Sequence, residues 1–503
     1  MQNNYKILLW ILTLSLTAGF IGGCGEDSEK LSSDEIKDET TAAETTIESG
    51  RESAKDTLPD DLDFGGEVVH ILTRGADYDT SIELVAQELD GDVLNDAVWR
   101  RNSSVEERLN VELDIITSEF TRHNSNESLF TKSILAGADD YDIVANAMHA
   151  MVPFVTQGMF VDVQTLDYLD FTQPWWNQAY LEMTEYDGSN YTILGDLSQT
   201  MISGAFCMFF NKQLFDEYLP DAPSLYDTVL SGEWTLDKLI EYCSSVYSDV
   251  NGNSMVDEGD RFGHYFTDTK TLGADSFSGA SGINLIEKNA DGSYSYNGLS
   301  ERTITFVEKM HSLLFENNNT CRLPYNNEDI MTTMVNDQTI FTTWMLTGVN
   351  YLRDMKSDFG IIPMPKLDEN QADYKTYVHD GSTVFCIPVT TPDADMSAAV
   401  LEAMCAETYR TVTPAYFETV LKDKYARDSE TSQMLDIIAA SVYLDVGYIY
   451  GPTLGHPIDA IRTILSSSTE CERASSTLAS KETQYMTNIE KIDSQFAELK
   501  AGN

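Results

Sequence analysis

The stretch "GGEVVHILTRG" (residues 65–75) decides the fold class, because it begins a regular succession of strands and helices. Its run 68–72 is short, β-branched and bounded by glycines, as is typical of a buried strand. Segment 94–110 predicts a helix, and its mostly apolar face is traced by Leu94, Val98, Arg101/Asn102, Val105 and Leu109. Residues 111–116, "VELDII", alternate as in a strand. A strand, a helix and a strand in this order predict a parallel sheet.

The same alternation continues along the chain. Further helices are predicted at "LFTKSILAG" (129–137), at the start of "VPFVTQGMFVDV" (152–163), at "WTLDKLIEYCSSVY" (234–247, with Thr235 as its cap) and at "MSAAVLEAMCAETYR" (396–410). Further strands are predicted at "YDIVANA" (141–147), at the start of "GAFCMFFNKQLF" (204–215), at "FGIIPMP" (359–365) and at "TVFCIPV" (383–389). No repeat of fixed period occurs, which disfavours a solenoid or a propeller. The predicted class is α/β, and a length of 503 residues predicts two domains.

The N-terminus predicts export. A basic residue, Lys6, precedes the apolar run 7–20, which is too short to cross a bilayer core of roughly 30 Å. The following "IGGC" ends at Cys24 and resembles the lipobox of bacterial lipoproteins. Residues 1–24 are therefore predicted to be a signal peptide and Cys24 to be lipidated, which would place the protein on the outer face of the cell membrane. Plain cleavage and an uncleaved signal anchor are the alternatives.

Composition excludes some partners. Residues 25–62 are rich in acids, Ser and Thr and contain no aromatic residue, which predicts a disordered tether. The whole chain has a formal net charge of −50, so it repels phosphate backbones and anionic lipid head groups. Nucleic acid is thereby excluded as an expected partner. The membrane is expected to be met through the lipid anchor only.

The chain carries no familiar catalytic motif. H-E-x-x-H, G-x-S-x-G, P-loop and G-x-G-x-x-G patterns do not occur, and the seven histidines are scattered. The six cysteines after Cys24 stand singly, which disfavours a zinc knuckle or a redox dithiol and predicts buried thiols. Acids are so numerous that a glycosidase-like carboxylate pair is not excluded by counting.

Tryptophans point to a flat, neutral ligand. "QPWWNQAY" (173–180) sets Trp175 beside Trp176, and "FTTWMLTG" (341–348) places Trp344 outside any clear helical stripe. Indole faces cover the C–H face of a sugar ring, while nearby Asn and Asp side chains bind its hydroxyls. The alternative is that each indole is ordinary core or hinge packing.

The loop "DVNGNSMVDEGD" (249–260) has the spacing of calcium ligands. Predicted ligands are the side chains of Asp249, Asn251, Asn253, Asp257 (directly or through water) and Asp260, and the carbonyl of Met255. Two departures from EF-hand and dockerin-like loops predict modest affinity: Ser254 stands where Gly is usual, and Asp260 replaces a longer Glu. The alternative is a solvated turn with helix-capping acids. Because the loop follows a helix ending near Tyr247, its expected role is to brace the scaffold.

Several motifs together resemble the family 1 extracellular solute-binding proteins of ABC importers, the branch related to maltose- and oligosaccharide-binding lipoproteins. The resemblance covers about residues 65–500 and is carried by the lipobox, "YDIVANA", "QPWWNQAY", "YTILGDLSQTMISGAFCMFFNKQLF" (191–215), "SGEWTLDKL" (231–239), "DVNGNSMVDEGDRFG" (249–263) and "RDMKSDFGIIPMPK" (353–366). It implies a two-lobed fold with hinge crossovers that closes over its ligand. By motif position, lobe one holds residues 63–203 and 372–410, and lobe two holds 204–371 and 411–503.

Loops at the carboxyl ends of strands supply the polar candidates for ligand binding, because ligands of doubly wound sheets sit there. The candidates are Arg74, Asp77 and Tyr78 after the first strand, Asn146 and His149 after "YDIVA", Gly195, Asp196 and Ser198 after "YTIL", and Asp380 and Ser382 after "KTYVH". Loop polarity alone would also account for any single one of them.

The resulting hypothesis is a non-enzymatic, monomeric binding protein that captures a carbohydrate, expected to be an oligosaccharide, and presents it to the permease subunits of an ABC importer. A surface glycoside hydrolase acting on oligosaccharides is the alternative. A third possibility, an adhesion or structural lipoprotein, predicts no small ligand. The sequence leaves the sugar unnamed and also leaves open a peptide or another solute.

Overall fold

The computed structural model describes residues 51–74, 83–118, 126–267, 273–323, 327–417 and 428–502. These residues belong to one compact unit that spans Gly50–Asn503. Cys24, the tether up to residue 50, Asp77 and Tyr78 lie outside the described residues, so the predictions made for them stay predictions.

The strands are short, as their β-branched and aromatic runs predict. In chain order they are β1 (Glu67–Thr73), β2 (Val111–Thr117), β3 (Ile143–Ala147), β4 (Phe206–Asn211), β5 (Phe262–Thr267), β6 (Ile286–Lys288), β7 (Tyr294–Tyr296), β8 (Thr320–Leu323), β9 (Thr339–Met345), β10 (Phe359–Pro363), β11 (Thr376–Tyr377), β12 (Thr383–Cys386) and β13 (Val442–Tyr443).

Helices fill most of the intervals between strands. They span Val93–Leu109, Glu127–Ala136, Met148–Val155, Gln178–Thr184, Gln199–Ser203, Lys212–Tyr218, Leu225–Leu230, Leu236–Cys243, Gly273–Ala280, Glu301–Phe315, Asn327–Val335, Ala394–Glu407, Ser429–Ala440, Val446–Ile449, Gly451–Leu454, Ile458–Ile464, Ser468–Glu472 and Ala474–Gly502. The segments Val163–Thr165 and Leu346–Leu352 are 3₁₀ helices, and Thr408–Val412 is a π-helix.

The first sheet is the one that the opening stretch predicts. It has four strands in the order β12-β3-β1-β2, and β1 runs parallel to both β2 and β3. The crossover helix Val93–Leu109 buries the predicted face, including Leu94, Val98 and Leu109. Asp92 caps this helix by accepting from the backbone N–H groups of Leu94 and Asn95. The fourth strand, β12, returns from far along the chain and pairs antiparallel with β3.

The second sheet has five strands in the order β10-β4-β9-β5-β8. The predicted strands at 204–215 and 359–365 are neighbours in this sheet, as β4 and β10. The predicted cap is confirmed, because the Thr235 side chain accepts from the N–H of Lys238. A two-stranded parallel pair, β11 with β13, joins residues 376–377 to 442–443. The lobe boundaries stay predictions, since sheet membership alone does not fix them.

One helix begins earlier than predicted. The helix expected from residue 152 spans Met148–Val155, starts directly after β3 and has Pro153 inside it. Pro153 is in the second turn of this short helix, where the missing N–H removes one backbone hydrogen bond without ending the helix.

Part of the predicted tether belongs to the folded structure. Leu58 is buried against the core of the four-stranded sheet, together with the partly buried Ala54 and Leu62. Arg108 Nη2 donates to the carbonyl oxygen of Pro59 over 2.9 Å. The last twelve residues of the predicted tether, 51–62, therefore belong to the described structure, because a few apolar residues in an acidic segment are enough to anchor it.

Two further predictions can be compared with the described residues. The six cysteines after Cys24 are buried free thiols, as predicted. In the described part of the chain, no helix combines the length and the hydropathy needed to cross a membrane.

Candidate functional site

Loops at the carboxyl ends of β1 and β3 meet the residues just before β12. Arg74, the residue after β1, is fully buried and donates from Nη1 to the carbonyl oxygen of Gly381 over 2.7 Å. His149 Nδ1 lies 3.1 Å from the carbonyl oxygen of Asp380 and 3.7 Å from its carboxylate. The structure therefore brings Arg74, His149 and Asp380 together, as expected from strand ends that share one edge of a sheet.

Glu83 organises the centre of this cluster. Its carboxylate accepts from the backbone N–H of Thr200 over 2.8 Å and from the hydroxyl of Thr383 over 2.6 Å. It also lies 3.7 Å from Arg74 Nη2, and both side chains are buried. Sequence reasoning missed Glu83, Thr200 and Thr383, because a single acid or threonine in a loop carries no pattern.

Ser198 and Ser382 belong to the same network. The Ser198 hydroxyl donates to the carbonyl oxygen of Thr383. The Ser382 hydroxyl donates to the carbonyl oxygen of His379 over 2.9 Å. Both serines are buried, so in this conformation they hold the loops together.

Asn146 lies beneath the cluster. It is fully buried, and its Nδ2 donates to Oδ1 of Asn126 over 2.6 Å. Its own Oδ1 accepts from the backbone N–H of Ala147 over 2.7 Å. These bonds hold the chain just before the helix Met148–Val155. Asn146 therefore supports the loop in this conformation.

A buried ion pair from helices near the five-stranded sheet faces Asp380. Arg462 donates from Nε and Nη2 to the two carboxylate oxygens of Asp275, over 2.8 Å and 2.5 Å. Burial disfavours the charge of Arg462, but the hydrogen bonds and charge of Asp275 outweigh it and raise the pKa of Arg462. Burial also raises the pKa of the nearby Tyr448, and the negative charge of Asp380 adds to that increase. Asp380 therefore lies near ionisable groups on elements beside both sheets, namely His149 and the Asp275–Arg462 pair.

A pocket of about 260 Å³ opens beside this cluster. Its lining residues are Pro174, Trp175, Trp176, Asn177, Gln178, Ala179, Gly195, Asp196, Met201, Ala439, Ala440 and Val442. Residues 174–201 lie next to the four-stranded sheet, because Ile193 pairs with Phe385 of β12. Ala439 and Ala440 end the helix Ser429–Ala440, which packs on β10 of the five-stranded sheet, and Val442 begins β13. The pocket thus lies where elements of the two sheets meet.

Asp196 is the acidic side chain of this pocket. Its Oδ2 accepts from the hydroxyl of Thr413 over 2.8 Å and lies 3.5 Å from Arg51 Nη1. Burial raises the pKa of Asp196 to about 6, although Arg51 and Thr413 both favour its charged form. Asp196 is therefore a mostly buried carboxylate that is harder to ionise than an ordinary aspartate.

The neighbouring Trp175 and Trp176 are mostly enclosed by protein. They are 1% and 4% exposed, respectively, and belong to the core of the four-stranded sheet. Trp176 Nε1 donates to Glu402 Oε2 over 3.0 Å, and its ring meets Phe171 edge-on at 5.4 Å between centroids. Both indoles border the pocket, but only a small part of each is open to it in this conformation.

Trp344 lies elsewhere. It is 1% exposed in β9, in the larger hydrophobic cluster, and packs over Gly348. A Cβ at Gly348 would lie 2.6 Å from the Trp344 ring, so the glycine makes this close approach possible. The structure does not bring Trp344 into contact with the pocket of Trp175 and Trp176, and a ligand contact for it stays a prediction.

The calcium-type loop is closed by its own side chains. Asp249 accepts from the N–H groups of Gly252 and Ser254, over 2.7 Å and 2.9 Å. Ser254 adopts the left-handed conformation (φ 62°) that normally favours glycine at this position. Asn251 and Asn253 both donate from Nδ2 to the carboxylate of Asp257, over 2.8 Å and 2.6 Å. Three predicted ligands, Asn251, Asn253 and Asp257, therefore converge. The amide N–H groups of the two asparagines face the carboxylate of Asp257.

Asp260 supports a fit between this loop and a cation. It is fully buried, its Oδ2 accepts from the Tyr247 hydroxyl over 3.0 Å, and its Oδ1 has no hydrogen-bond partner. Within the described ranges, however, no three His, Cys, Asp or Glu side chains cluster as a metal site. A calcium ion would need the amides of Asn251 and Asn253 to turn their oxygens inward.

The sequence and the structure were compared with known proteins. No protein-family model matches the sequence, and no curated protein matches it. Solved structures do match over most of the chain. One is the galacto-N-biose-/lacto-N-biose I-binding protein of the ABC transporter from Bifidobacterium longum, in complex with lacto-N-biose. It has a TM-score of 0.57 and 11% identity, over 85% of this chain and 98% of that chain.

Two further structures are similar to the same extent. A family 1 extracellular solute-binding protein from Bifidobacterium longum subsp. infantis has a TM-score of 0.54 and 14% identity, over 84% of this chain and 100% of that chain. UgpB from Mycobacterium tuberculosis, in complex with glycerophosphocholine, has a TM-score of 0.54 and 13% identity, over 85% of this chain and 99% of that chain. The chain therefore has the two-lobed α/β fold of periplasmic-binding-protein-like solute-binding proteins, similar to those of family 1.

Proposed function

We propose that this protein captures a neutral carbohydrate between its two lobes and delivers it unaltered to an ABC importer. The observation that carries the proposal is the composition of the pocket beside Asp196. Its lining includes the amides of Asn177 and Gln178, one carboxylate and two indoles, and it contains no Lys or Arg. Amides and a carboxylate bind sugar hydroxyls, and the small part of each indole that borders the pocket adds apolar surface beside the ring.

The same composition disfavours a phosphorylated ligand. A phosphodiester such as the one bound by UgpB needs cationic or backbone N–H partners. The lining residues include a carboxylate and no Lys or Arg, and the neighbouring Arg51 is already engaged by that carboxylate and by Tyr409. The net charge of −50 adds a long-range repulsion for anions. A neutral sugar is therefore favoured over a glycerophosphodiester.

Binding would act by shifting the population of lobe arrangements. A sugar that touches both the Asn177 wall and the Ala439 wall makes more contacts when the lobes are closed, so it favours closure by that difference. Such a protein needs no bond chemistry, and the sequence contains no recognised catalytic motif. The fold neighbours described above are binding proteins, which supports this proposal over a surface glycoside hydrolase.

Two accessory features complete the proposal. Lipidation at Cys24 would hold the protein at the outer face of the membrane near the permease. Calcium in the loop of Asp249 and Asp260 would brace the chain between the helix Leu236–Cys243 and β5, away from the pocket.

Isothermal titration calorimetry tests the ligand class. Maltotriose, lacto-N-biose, xylobiose and glycerophosphocholine would be titrated into the mature protein and into Asp196→Ala. We expect at least one neutral sugar to bind, glycerophosphocholine not to bind, and the variant to lose about tenfold or more in affinity, the effect of one hydrogen bond to a charged group. Binding of glycerophosphocholine alone would contradict the proposal. Asp216→Ala, which removes an exposed acid that does not line the pocket, serves as the matched control.

A further inference from the structure

The N-terminal segment (residues 51–64) reaches the pocket wall through Arg51. The Arg51 guanidinium lies 4.0 Å from the centroid of the Tyr409 ring, and its Nη1 donates to the carbonyl oxygen of Tyr409 over 3.2 Å. The same Nη1 is 3.5 Å from Oδ2 of Asp196, which lines the pocket. Tyr409 in turn packs against Trp175, with 6.2 Å between ring centroids. One side chain thus contacts the carboxylate and, through Tyr409, supports an indole of the same wall.

A second connection runs through Glu402. The Thr57 hydroxyl donates to Glu402 Oε1 over 2.9 Å, and Trp176 Nε1 donates to Glu402 Oε2 over 3.0 Å. The segment is itself fixed, because Leu58 is buried and Arg108 donates to the carbonyl oxygen of Pro59. The N-terminal segment therefore braces the wall at Asp196 and at Trp176 from an anchored position.

We propose that Arg51 is a positioning residue of the pocket, which holds the carboxylate of Asp196 in place for ligand and makes the N-terminal segment, most of which was predicted to be tether, part of the binding site. This inference rests on the proposed function, because it takes the pocket at Asp196 as the ligand site. Its chemistry is specific: a guanidinium that stacks on Tyr409 and donates to the Tyr409 carbonyl oxygen holds its charge at a fixed place beside the carboxylate, whereas a freely moving cation would not.

Among the described residues, Arg51 is the charged group that acts on the Asp196 carboxyl group. Thr413 donates a hydrogen bond, and the nearby Cys405 thiol is kept neutral because burial raises its pKa. The opposite wall, Ala439, Ala440 and Val442, is apolar. Removing the Arg51 charge should therefore make Asp196 harder to ionise.

Titration of the Asp196 carboxyl group provides a test that needs no ligand. Carbon-13 NMR of the mature protein, labelled at aspartate Cγ, would measure the midpoint pH of the Asp196 titration. The Asp196 signal would be assigned with Asp196→Asn, and the midpoint would be compared among the parent, Arg51→Ala, Arg51→Lys and Lys55→Ala. Lys55 is an exposed cation of the same segment and serves as the matched control. We expect the midpoint to move to higher pH in Arg51→Ala, to be restored only in part in Arg51→Lys, which keeps the charge but loses the stacked guanidinium, and to stay unchanged in Lys55→Ala. An unchanged midpoint in Arg51→Ala would overturn the inference.

Affinity for a neutral sugar found by calorimetry gives the functional arm. Arg51→Ala should weaken binding about tenfold, as expected from loosening one charge-assisted contact, while Lys55→Ala should bind like the parent. Equal affinities of Arg51→Ala and the parent would also overturn the inference. If no sugar binds the parent, the proposed function fails, and the carboxyl titration still decides whether Arg51 controls Asp196.

Discussion

Arg74 and Glu83 form an ion pair with almost no access to water at the end of β1. Glu83 also holds the backbone of Thr200 and the hydroxyl of Thr383, so it joins three loops around one carboxylate. Removing one partner of a buried pair leaves the other charge uncompensated, which usually costs about 3–5 kcal/mol. We therefore expect Glu83→Ala to lower the free energy of unfolding by about that amount, measured by thermal and urea denaturation.

Glu88→Ala is the matched control for this pair, because Glu88 is an exposed glutamate a few residues later. Exposed substitutions of this kind usually change stability by no more than about 0.5 kcal/mol. If both variants unfolded at the same temperature as the parent, the assigned role of Glu83 would be wrong.

At this scale, the sequence predicts positions better than it predicts roles. Arg74, Asp380 and Ser382 were expected at a common edge, and the structure brings them together. Ser198 and Asn146 were also expected at the ligand site. In this structure both are buried and hydrogen-bonded to neighbouring loops, and a ligand contact for either stays a prediction. A polar residue after a strand looks the same in sequence whether its partner is a ligand or a neighbouring loop. Only the arrangement of the loops distinguishes these cases.

The calcium-type loop is the element whose role can be tested separately. Calcium should stabilise the protein, since an ion that binds the folded loop alone adds RT ln(1 + [L]/Kd). With a Kd of roughly 0.1–1 mM, as in extracellular modules, about 5 mM calcium would contribute about 1–2 kcal/mol. Differential scanning calorimetry with calcium and with EDTA should show a Tm higher by roughly 1–2 °C with calcium for a chain of this length.

Asp249→Ala should abolish this response, because Asp249 occupies the first ligand position of the loop. Glu258→Gln is the control, since Glu258 is an exposed acid inside the loop but outside the predicted ligand positions. A calcium response of equal size in the parent and in Asp249→Ala would place the ion elsewhere.

Elements with strong local patterns were predictable, and elements held by distant contacts were not. The helix Val93–Leu109 and the strands β1 and β2 follow from apolar periodicity, which reflects burial on one face. The pairing of β11 with β13 depends on residues more than sixty positions apart, and no local pattern encodes it. The N-terminal segment was misread for a related reason. Its acidic composition predicts disorder, while Leu58 and Arg51 anchor it through partners far along the chain.

The whole molecule combines two larger sheets, a pocket where their elements meet, and a polar cluster around Asp380. Elements beside both sheets contribute to that cluster. The α/β class was predictable from the alternation of strands and helices, and the two-lobed fold was predicted through the resemblance that the ordered motifs carry. The location of the pocket was predictable in part, through Asp196 and the tryptophan pair. Trp344 shows the limit: a tryptophan that follows an apolar run has the same sequence signature in a core as at a ligand surface.

Native mass spectrometry of the mature protein with a mixture of neutral oligosaccharides tests the central proposal most directly. We expect one oligosaccharide per protein molecule, released on denaturation with its mass unchanged after prolonged incubation. A protein that stays free of sugar throughout, or that converts the mixture into shorter sugars, would contradict capture without chemistry.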